Sequence, residues 1–487
     1  MINYTFNDYL EHWALHRSKL VALADAEGEL TFRELLNRVR SLQGYFYEEI
    51  GLRTGDTVGI SSPRCVSLVL IYLAALGLGL SVVPLPEQLE ANHYNKISAL
   101  IPMDALVSLE GNTGHSRTEY CLKRTGKAEG DTRAAAEYFF VPHELGYRHI
   151  RHNYSSMEEQ AIYYNLTSGS TGDIKSVRAG SREIILNAWL VDRRLPLKAG
   201  DCYCCLFAPD MHPHELFTRP IVFGAACLLL NNHSLRSFGG YMRRYQITHL
   251  LATPHTLTNL LLICPEEKDW LSVQYLIGSG ESVSYVLREK FYTQVRQKLL
   301  IAWGCTETTG IVLVVPEELF LQKGSILGSP VQGYEIRIEK DTQELLIRGE
   351  CVMKEYWKST EPPPVDGYGY YHTGDLVEQG PGGLLAFAGR RDAFIKAGGR
   401  KVSLYGLEQQ IRQIQGIREI AVLYSDISHT LGVFYSGEAD AHAAYIDILE
   451  LMNHMLSQAQ FRIIERSELP KLTNGKLDKQ RLVAELH

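Results

Sequence analysis

The run Asn165 to Val177 (NLTSGSTGDIKSV) gathers five hydroxyl side chains, two glycines and a lysine. Thr167, Ser168, Ser170 and Thr171 supply donors, Gly169 and Gly172 let backbone N–H groups come close to an anion, and Lys175 adds a full positive charge. Such a set can cradle a phosphate. The same composition also describes a solvated loop, and the order is not that of the G-x-x-x-x-G-K-[ST] nucleotide loop. Tyr163, Tyr164 and Leu166 favour an extended segment before it, so the run is predicted to link a strand to a helix.

Four further motifs carry candidate chemistry. In WGCTETTG, Trp303 to Gly310, Thr306 and Glu307 follow the apolar strand Leu299 to Ala302, and a carboxylate at such a strand end can hold Mg²⁺ against phosphate oxygens. The alternative is a helix start with Thr306 as cap. In YHTGDL, Tyr371 to Leu376, Asp375 follows a Thr-Gly turn and suits two ribose hydroxyls, or is an ordinary turn aspartate. GRRDAFIKAGGRKV, Gly389 to Val402, contains Arg390, Asp392 and Lys396 and reads by itself as a charged linker with a hairpin. LTNGKLDK, Leu472 to Lys479, places Lys476 beside an Asn-Gly turn, where a solvated lysine is the default.

The elements that must position these residues follow from periodicity. Strands alternate with helices over roughly residues 1–340, which predicts α/β layers with parallel sheets. Leu30 to Ile50 reads as a helix capped by Thr31, with Glu34 at the capping-box spacing. Strands are predicted at Asp56 to Ser61, Val82 to Pro86, Tyr203 to Ala208, Ala225 to Leu230, His249 to Ala252 and Tyr275 to Gly278. Near Arg390 the pattern changes to a compact α+β unit of about 95 residues. The expected division is therefore a core over 1–391, with parallel sheets and a β subdomain, and a small mobile lid over 392–487.

Composition excludes several classes. A chain of 487 residues is too long for one core. Its net charge of −7, without basic runs, argues against nucleic-acid or membrane partners. The apolar stretch Val66 to Val83 is interrupted by Gly77 and Gly79 and reads as a buried helix running into a strand. Nine cysteines without a framework of pairs, and no secretory leader pattern in Met1 to Leu20, predict a cytoplasmic protein. Cys202, Cys204 and Cys205 lack the spacing of a metal site and look like a buried strand.

Taken in this order along the chain, the five motifs resemble those of the adenylate-forming superfamily, which includes acyl-CoA synthetases, luciferases and the adenylation domains of nonribosomal peptide synthetases. LTFRELL from Leu30, LGLGLSVVPLP ending at Pro86 and ELLIRGECVMKEYW from Glu344 extend the likeness. It implies a two-step reaction: a carboxylate attacks the α-phosphate of ATP, pyrophosphate leaves, and the acyl-adenylate passes to a thiol. It further implies that Thr167, Ser168, Gly169, Ser170, Thr171, Gly172 and Lys175 hold the triphosphate. Thr306 would contact the α-phosphate, Glu307 would bind Mg²⁺, Trp303 would flank the adenine, and Asp375 with Arg390 would take the ribose. Lys476 is then the catalytic lysine on the lid, and Asp392 the hinge. Ile174 departs from the pattern, standing where a proline usually precedes the lysine, as do Ser403, Tyr405 and Gly406 in the lid.

Substrate class is indicated by APDMHPHELF, Ala208 to Phe217. Aligning Glu215 with the family's pocket glutamate brings Asp210 to the position that holds a substrate ammonium in amino-acid-activating members; the alternative is a helix-capping aspartate. The same alignment lines the pocket with Met211, His214, Leu251, Ile277, Ser279, Gly280, Ala302, Gly310 and Ile311, with Gly310 and Ser279 leaving room and His214 offering a polar handle. The resemblance thus implies an ATP- and Mg²⁺-dependent amino acid–carrier protein ligase, free-standing because the chain stops soon after Lys476. An acyl- or aryl-CoA synthetase is the alternative, and a non-catalytic adenylate-binding protein a third reading.

Overall fold

The computed structural model describes residues 4–87, 91–109, 120–124, 137–141, 154–168, 174–359, 364–380, 383–391, 393–397, 400–425, 427–437, 441–455, 460–471 and 477–487. They form two compact units. The first comprises Met1–Glu335 with Arg348–Tyr371, the second Ile336–Ile347 with His372–His487.

Two sheets build the first unit. One runs in the order Glu137–Val141, Tyr120–Arg124, Ala105–Leu109, Thr57–Ser61, Ser81–Leu85, Tyr163–Ser168, Ile174–Ala179, and its four inner strands pair in parallel. In the other, Leu299–Cys305, Tyr275–Gly278, His249–Ala252, Cys202–Cys205, Ala226–Leu228 and Val21–Ala24 pair in parallel. Gly310–Val314 and Ile326–Pro330 extend it antiparallel beyond Leu299–Cys305. Parallel strands covered on both faces read as continuous apolar runs, and Cys202–Cys205 and His249–Ala252 are buried at every position. This explains the cysteine cluster as core: burial pushes the Cys202 thiol up to about 12.

The stretch Val66 to Val83 forms the helix Val66–Gly77, buried from Leu68 onward, followed by the strand Ser81–Leu85. A helix apolar all round must be packed on all sides, and no described helix is long and apolar enough to cross a membrane. The helix Phe32–Glu48 starts where its capping signal lies, with both arms of the Thr31–Glu34 box formed. Between residues 110 and 153 the described residues are the strands Tyr120–Arg124 and Glu137–Val141.

In the second unit, Ile417–Ser425, Thr430–Gly437 and Phe461–Glu465 form a three-stranded sheet, the first pair antiparallel and the second parallel. Period-two alternation sends Ile420 and Val422 into one core with Leu407, Ile411, Ile448 and Met452, and Ala421 and Leu423 into another with Leu469, Leu482 and Leu486. This is the α+β unit expected. Within this unit Tyr371–Gln379 and Leu385–Arg390 pair antiparallel, and Phe387 packs edge-on against Tyr405 at 4.7 Å. Asp392 and Lys476 lie outside the described residues.

Replacing Thr31 with Ala removes one arm of the capping box and is expected to lower unfolding free energy by about 1 kcal/mol. Urea midpoints of the two proteins measure it; equal midpoints would mean the cap contributes nothing.

Candidate active site

In an open parallel sheet the strand carboxyl ends share one edge, and loops leaving it are the customary place for ligands. In the first unit Asp210 and Met211 follow Cys202–Cys205, Ser279 and Gly280 follow Tyr275–Gly278, and Thr306 and Glu307 follow Leu299–Cys305. Register sets the neighbours: Leu251 stands beside Cys205 on one side and Ile277 on the other. Leu251, Ile277, Ala302 and Ile311 are all buried. The loops touch across the edge, since Gly280 has φ +87° and a Cβ there would stand 3.2 Å from Met211 Cε. Any side chain at Gly280 would press on Met211.

Asp210 is half-buried in the turn that the Met211 N–H closes onto the Ala208 carbonyl at 2.9 Å. It is not a helix cap: the next helix, His214–Phe223, starts from Pro213 and has no side-chain cap. The Tyr72 phenol is pushed well up by burial, and Asp210's charge adds to the shift.

Two pocket expectations change. At Gly310 a Cβ would lie 2.5 Å from Asn187 Oδ1 and 2.8 Å from Glu215 Oε1, so protein atoms stand where a side chain would project. His214 is enclosed: Nε2 lies 2.8 Å from the Thr309 carbonyl oxygen, which makes it the protonated nitrogen, and Nδ1 is buried among rings of Tyr163 and His212. It therefore packs the wall and offers no polar handle at a surface. Burial holds its imidazole down to about 4, while burial pushes the neighbouring Glu215 carboxyl up to about 7, partly offset by Arg219.

The hydroxyl-rich run joins two antiparallel strands, Tyr163–Ser168 and Ile174–Ala179, and not the strand and helix expected. Thr167 stands opposite Lys175 and Ser168 opposite Ile174. Ile174 and Val177, β-branched, favour the returning strand, and the helix Ser181–Asp192 begins only after it. Gly169, Ser170, Thr171 and Gly172 lie outside the described residues.

Lys175 Nζ sits 5.1 Å from the centroid of the Tyr356 ring, and the Tyr356 hydroxyl donates to Glu307 Oε1 at 2.7 Å. Backbone contacts fix this meeting point. Tyr356 bridges Val177, the Trp357 N–H donates to the Ser176 carbonyl at 2.8 Å, and the Met353 N–H donates to the Glu307 carbonyl at 2.8 Å. Sequence reasoning brought Lys175 and Glu307 together but passed over Tyr356, because a tyrosine in a half-exposed Lys-Glu-Tyr-Trp stretch has no periodic signal. Thr306 Oγ1 lies 3.3 Å from His212 Nε2, which no motif announced. Trp303, half-buried, stands opposite Leu313.

In the second unit Asp375 and Arg390 form a cross-strand pair. The Arg390 guanidinium donates to Asp375 Oδ1 at 2.8 Å and to the Thr373 carbonyl at 2.9 Å. Asp375 lies within the strand Tyr371–Gln379 and not in a turn. Beside it Glu344, 1% exposed, accepts from the Gly374 N–H and the Arg391 guanidinium, each at 2.8 Å. That buried carboxylate, also missed from sequence, anchors the backbone next to Asp375.

Carboxylates and hydroxyls at a strand-end edge, with a lysine brought to them by a hairpin, are group types suited to phosphate-bearing ligands. Residues 10–357 match the family described as AMP-binding enzyme. The chain belongs to that family, within the adenylate-forming superfamily, and is an adenylate-forming ligase. Among its relatives is the long-chain-fatty-acid–CoA ligase of Escherichia coli O157:H7, 25% identical over 93% of this chain and 89% of that protein. Bacitracin synthase 3 of Bacillus licheniformis is 24% identical over 99% of this chain but only 8% of that far longer protein. In fold the chain is similar to the anthranilate CoA ligase AuaEII in complex with anthranoyl-AMP, with TM-score 0.77 at 19% identity over 99% and 97% of the two chains. ATP-bound MatB from Rhodopseudomonas palustris gives 0.77 at 17% identity over 99% of each. These likenesses bear out the α/β class with a large N-terminal and a smaller C-terminal domain.

Two neighbouring groups tilt stability oppositely with pH. His214, depressed from 6.5 to about 4, contributes stability present above pH 6.5 and lost toward about 4. Glu215, raised from 4.5 to about 7, contributes stability present below pH 4.5 and lost as pH rises to about 7. Glu215→Gln should therefore gain on the wild type as pH rises from about 4.5 to about 7 and hold that gain above. Denaturant midpoints between pH 4.5 and 8 measure it, and a pH-independent difference would contradict the assignment.

Proposed function

We propose that this protein activates the carboxylate of an amino acid as an aminoacyl-adenylate and passes it to the phosphopantetheine thiol of a separate carrier protein. The observation that supports the amino-acid reading is Asp210: a half-buried carboxylate in the strand-end turn, adjoining Met211, which reaches Gly280. A carboxylate facing a substrate acid is costly unless a cation accompanies that acid. An α-ammonium supplies it.

In this reading a substrate carboxylate oxygen attacks the α-phosphorus, and the bond to the pyrophosphate oxygen breaks. The transferring phosphoryl needs oriented donors and cations more than covalent help. Thr167, Ser168, Gly169, Ser170, Thr171, Gly172 and Lys175 hold the triphosphate, and Thr306 holds the α-phosphate. Trp303 flanks the adenine, and Asp375, oriented by Arg390, binds the ribose. Lys476 bridges the carboxylate and the leaving oxygen, and Asp392 is the hinge of the lid formed by residues 392–487.

Mg²⁺ fits the donors present. Glu307 offers carboxylate oxygen beside the Thr306 hydroxyl, and no group of three or more His, Cys, Asp or Glu among the described residues makes a complete cage. Mg²⁺ characteristically takes one or two carboxylates and completes its shell with phosphate oxygens and water. Bound there, it would neutralise charge on the phosphates.

The second reading, an acyl- or aryl-CoA synthetase, is favoured by the near full-length match to the Escherichia coli ligase. Exchange of labelled pyrophosphate into ATP separates them: stimulation is expected with amino acids and not with fatty or benzoic acids, and exchange driven only by acids lacking an amine would overturn the proposal. Asp210→Asn should lower kcat/KM for amine-bearing acids about 100-fold, the size of roughly 3 kcal/mol. An unchanged preference would return Asp210 to a structural role.

A further inference from the structure

Tyr356 occupies a position that no motif assigns. Its segment crosses from the returning strand of the hairpin to the turn carrying Glu307, held by the Trp357-to-Ser176 and Met353-to-Glu307 backbone bonds. From there one side chain addresses two charges of opposite sign. The hydroxyl donates to Glu307 Oε1 at 2.7 Å, and the ring face lies 5.1 Å from Lys175 Nζ. The two contacts use different parts of the residue, so each can be removed separately.

We propose that Tyr356 is a positioning residue that sets the metal-binding carboxylate of Glu307 and the triphosphate-binding ammonium of Lys175 at a fixed spacing for metal–nucleotide. The inference rests on the reading above, in which Glu307 holds Mg²⁺ and Lys175 the triphosphate. By engaging one carboxylate oxygen, the hydroxyl fixes the rotamer that presents the other to a cation, the role outer-shell partners play toward metal ligands. The ring offers its negative face to the ammonium, which limits where Lys175 can rest without neutralising it. A carboxylate in place of Tyr356 would pair with Lys175 and repel Glu307; an aliphatic residue would hold neither. A phenol hydroxyl, which ionises only at about pH 10, is a donor at neutral pH.

The test uses the full chain and reads metal binding directly, by electron paramagnetic resonance of Mn²⁺ in the presence of ATP. Tyr356→Phe keeps the ring and removes the hydroxyl, and it is expected to weaken Mn²⁺ binding about 10- to 100-fold. Its ATP affinity at saturating metal should stay within about 2-fold of wild type, because the ring face opposite Lys175 remains. Tyr356→Leu should add a loss of ATP affinity of about 2- to 5-fold at saturating metal. Glu307→Gln is measured alongside. If Tyr356→Phe binds Mn²⁺ like the wild type while Glu307→Gln has lost it, Tyr356 does not position Glu307 and the proposal fails while the metal reading stands. If Glu307→Gln also binds normally, the metal reading itself falls and the proposal with it. A uniform loss of metal and ATP affinity in Tyr356→Phe, matched by a lowered melting temperature, would show a merely structural role.

Discussion

Strands buried on both faces leave only their ends in contact with water, and this constraint organises the first unit. The parallel strands Cys202–Cys205, His249–Ala252 and Tyr275–Gly278 are buried at every position except Tyr275. Polar chemistry is therefore pushed into the turns at their carboxyl edge. Asp210, Ser279, Thr306 and Glu307 stand there for that reason. The same enclosure explains why cysteines in these strands, though numerous, are inert filling: their thiols are held neutral by burial.

A second consequence of enclosure is electrostatic. Burial drives ionisable groups drawn behind the edge toward their neutral forms, as at His214 and Glu215, whereas other carboxylates are given partners. Glu344 meets Arg391 and the Gly374 N–H, and Asp375 meets Arg390. Uncharged groups pack the wall, while partnered groups hold a defined orientation toward whatever binds. Orientation, more than the mere presence of charge, is what a phosphoryl-transfer site must supply.

The hairpin shows how local and long-range forces divide this work. Cross-strand register places Lys175 opposite Thr167, a local outcome of β-branched Ile174 and Val177. Bringing that lysine to Glu307 requires the distant segment around Tyr356 to bond to both. No property of either motif contains this contact.

Local physics made much of the chain legible. The Thr31–Glu34 capping box, the Gly-interrupted apolar run from Val66 and the strands His249–Ala252 and Tyr275–Gly278 arise from short-range hydrogen bonding and hydrophobic period, so the sequence by itself determined them. Motif order likewise determined the family. Tertiary structure alone decided that the hydroxyl-rich run returns as a strand, that Asp375 sits inside a strand, and that Asn187 and Glu215 stand against Gly310. Each depends on which distant surface covers a segment, and burial against a partner remote in sequence leaves no mark in the segment's own periodicity.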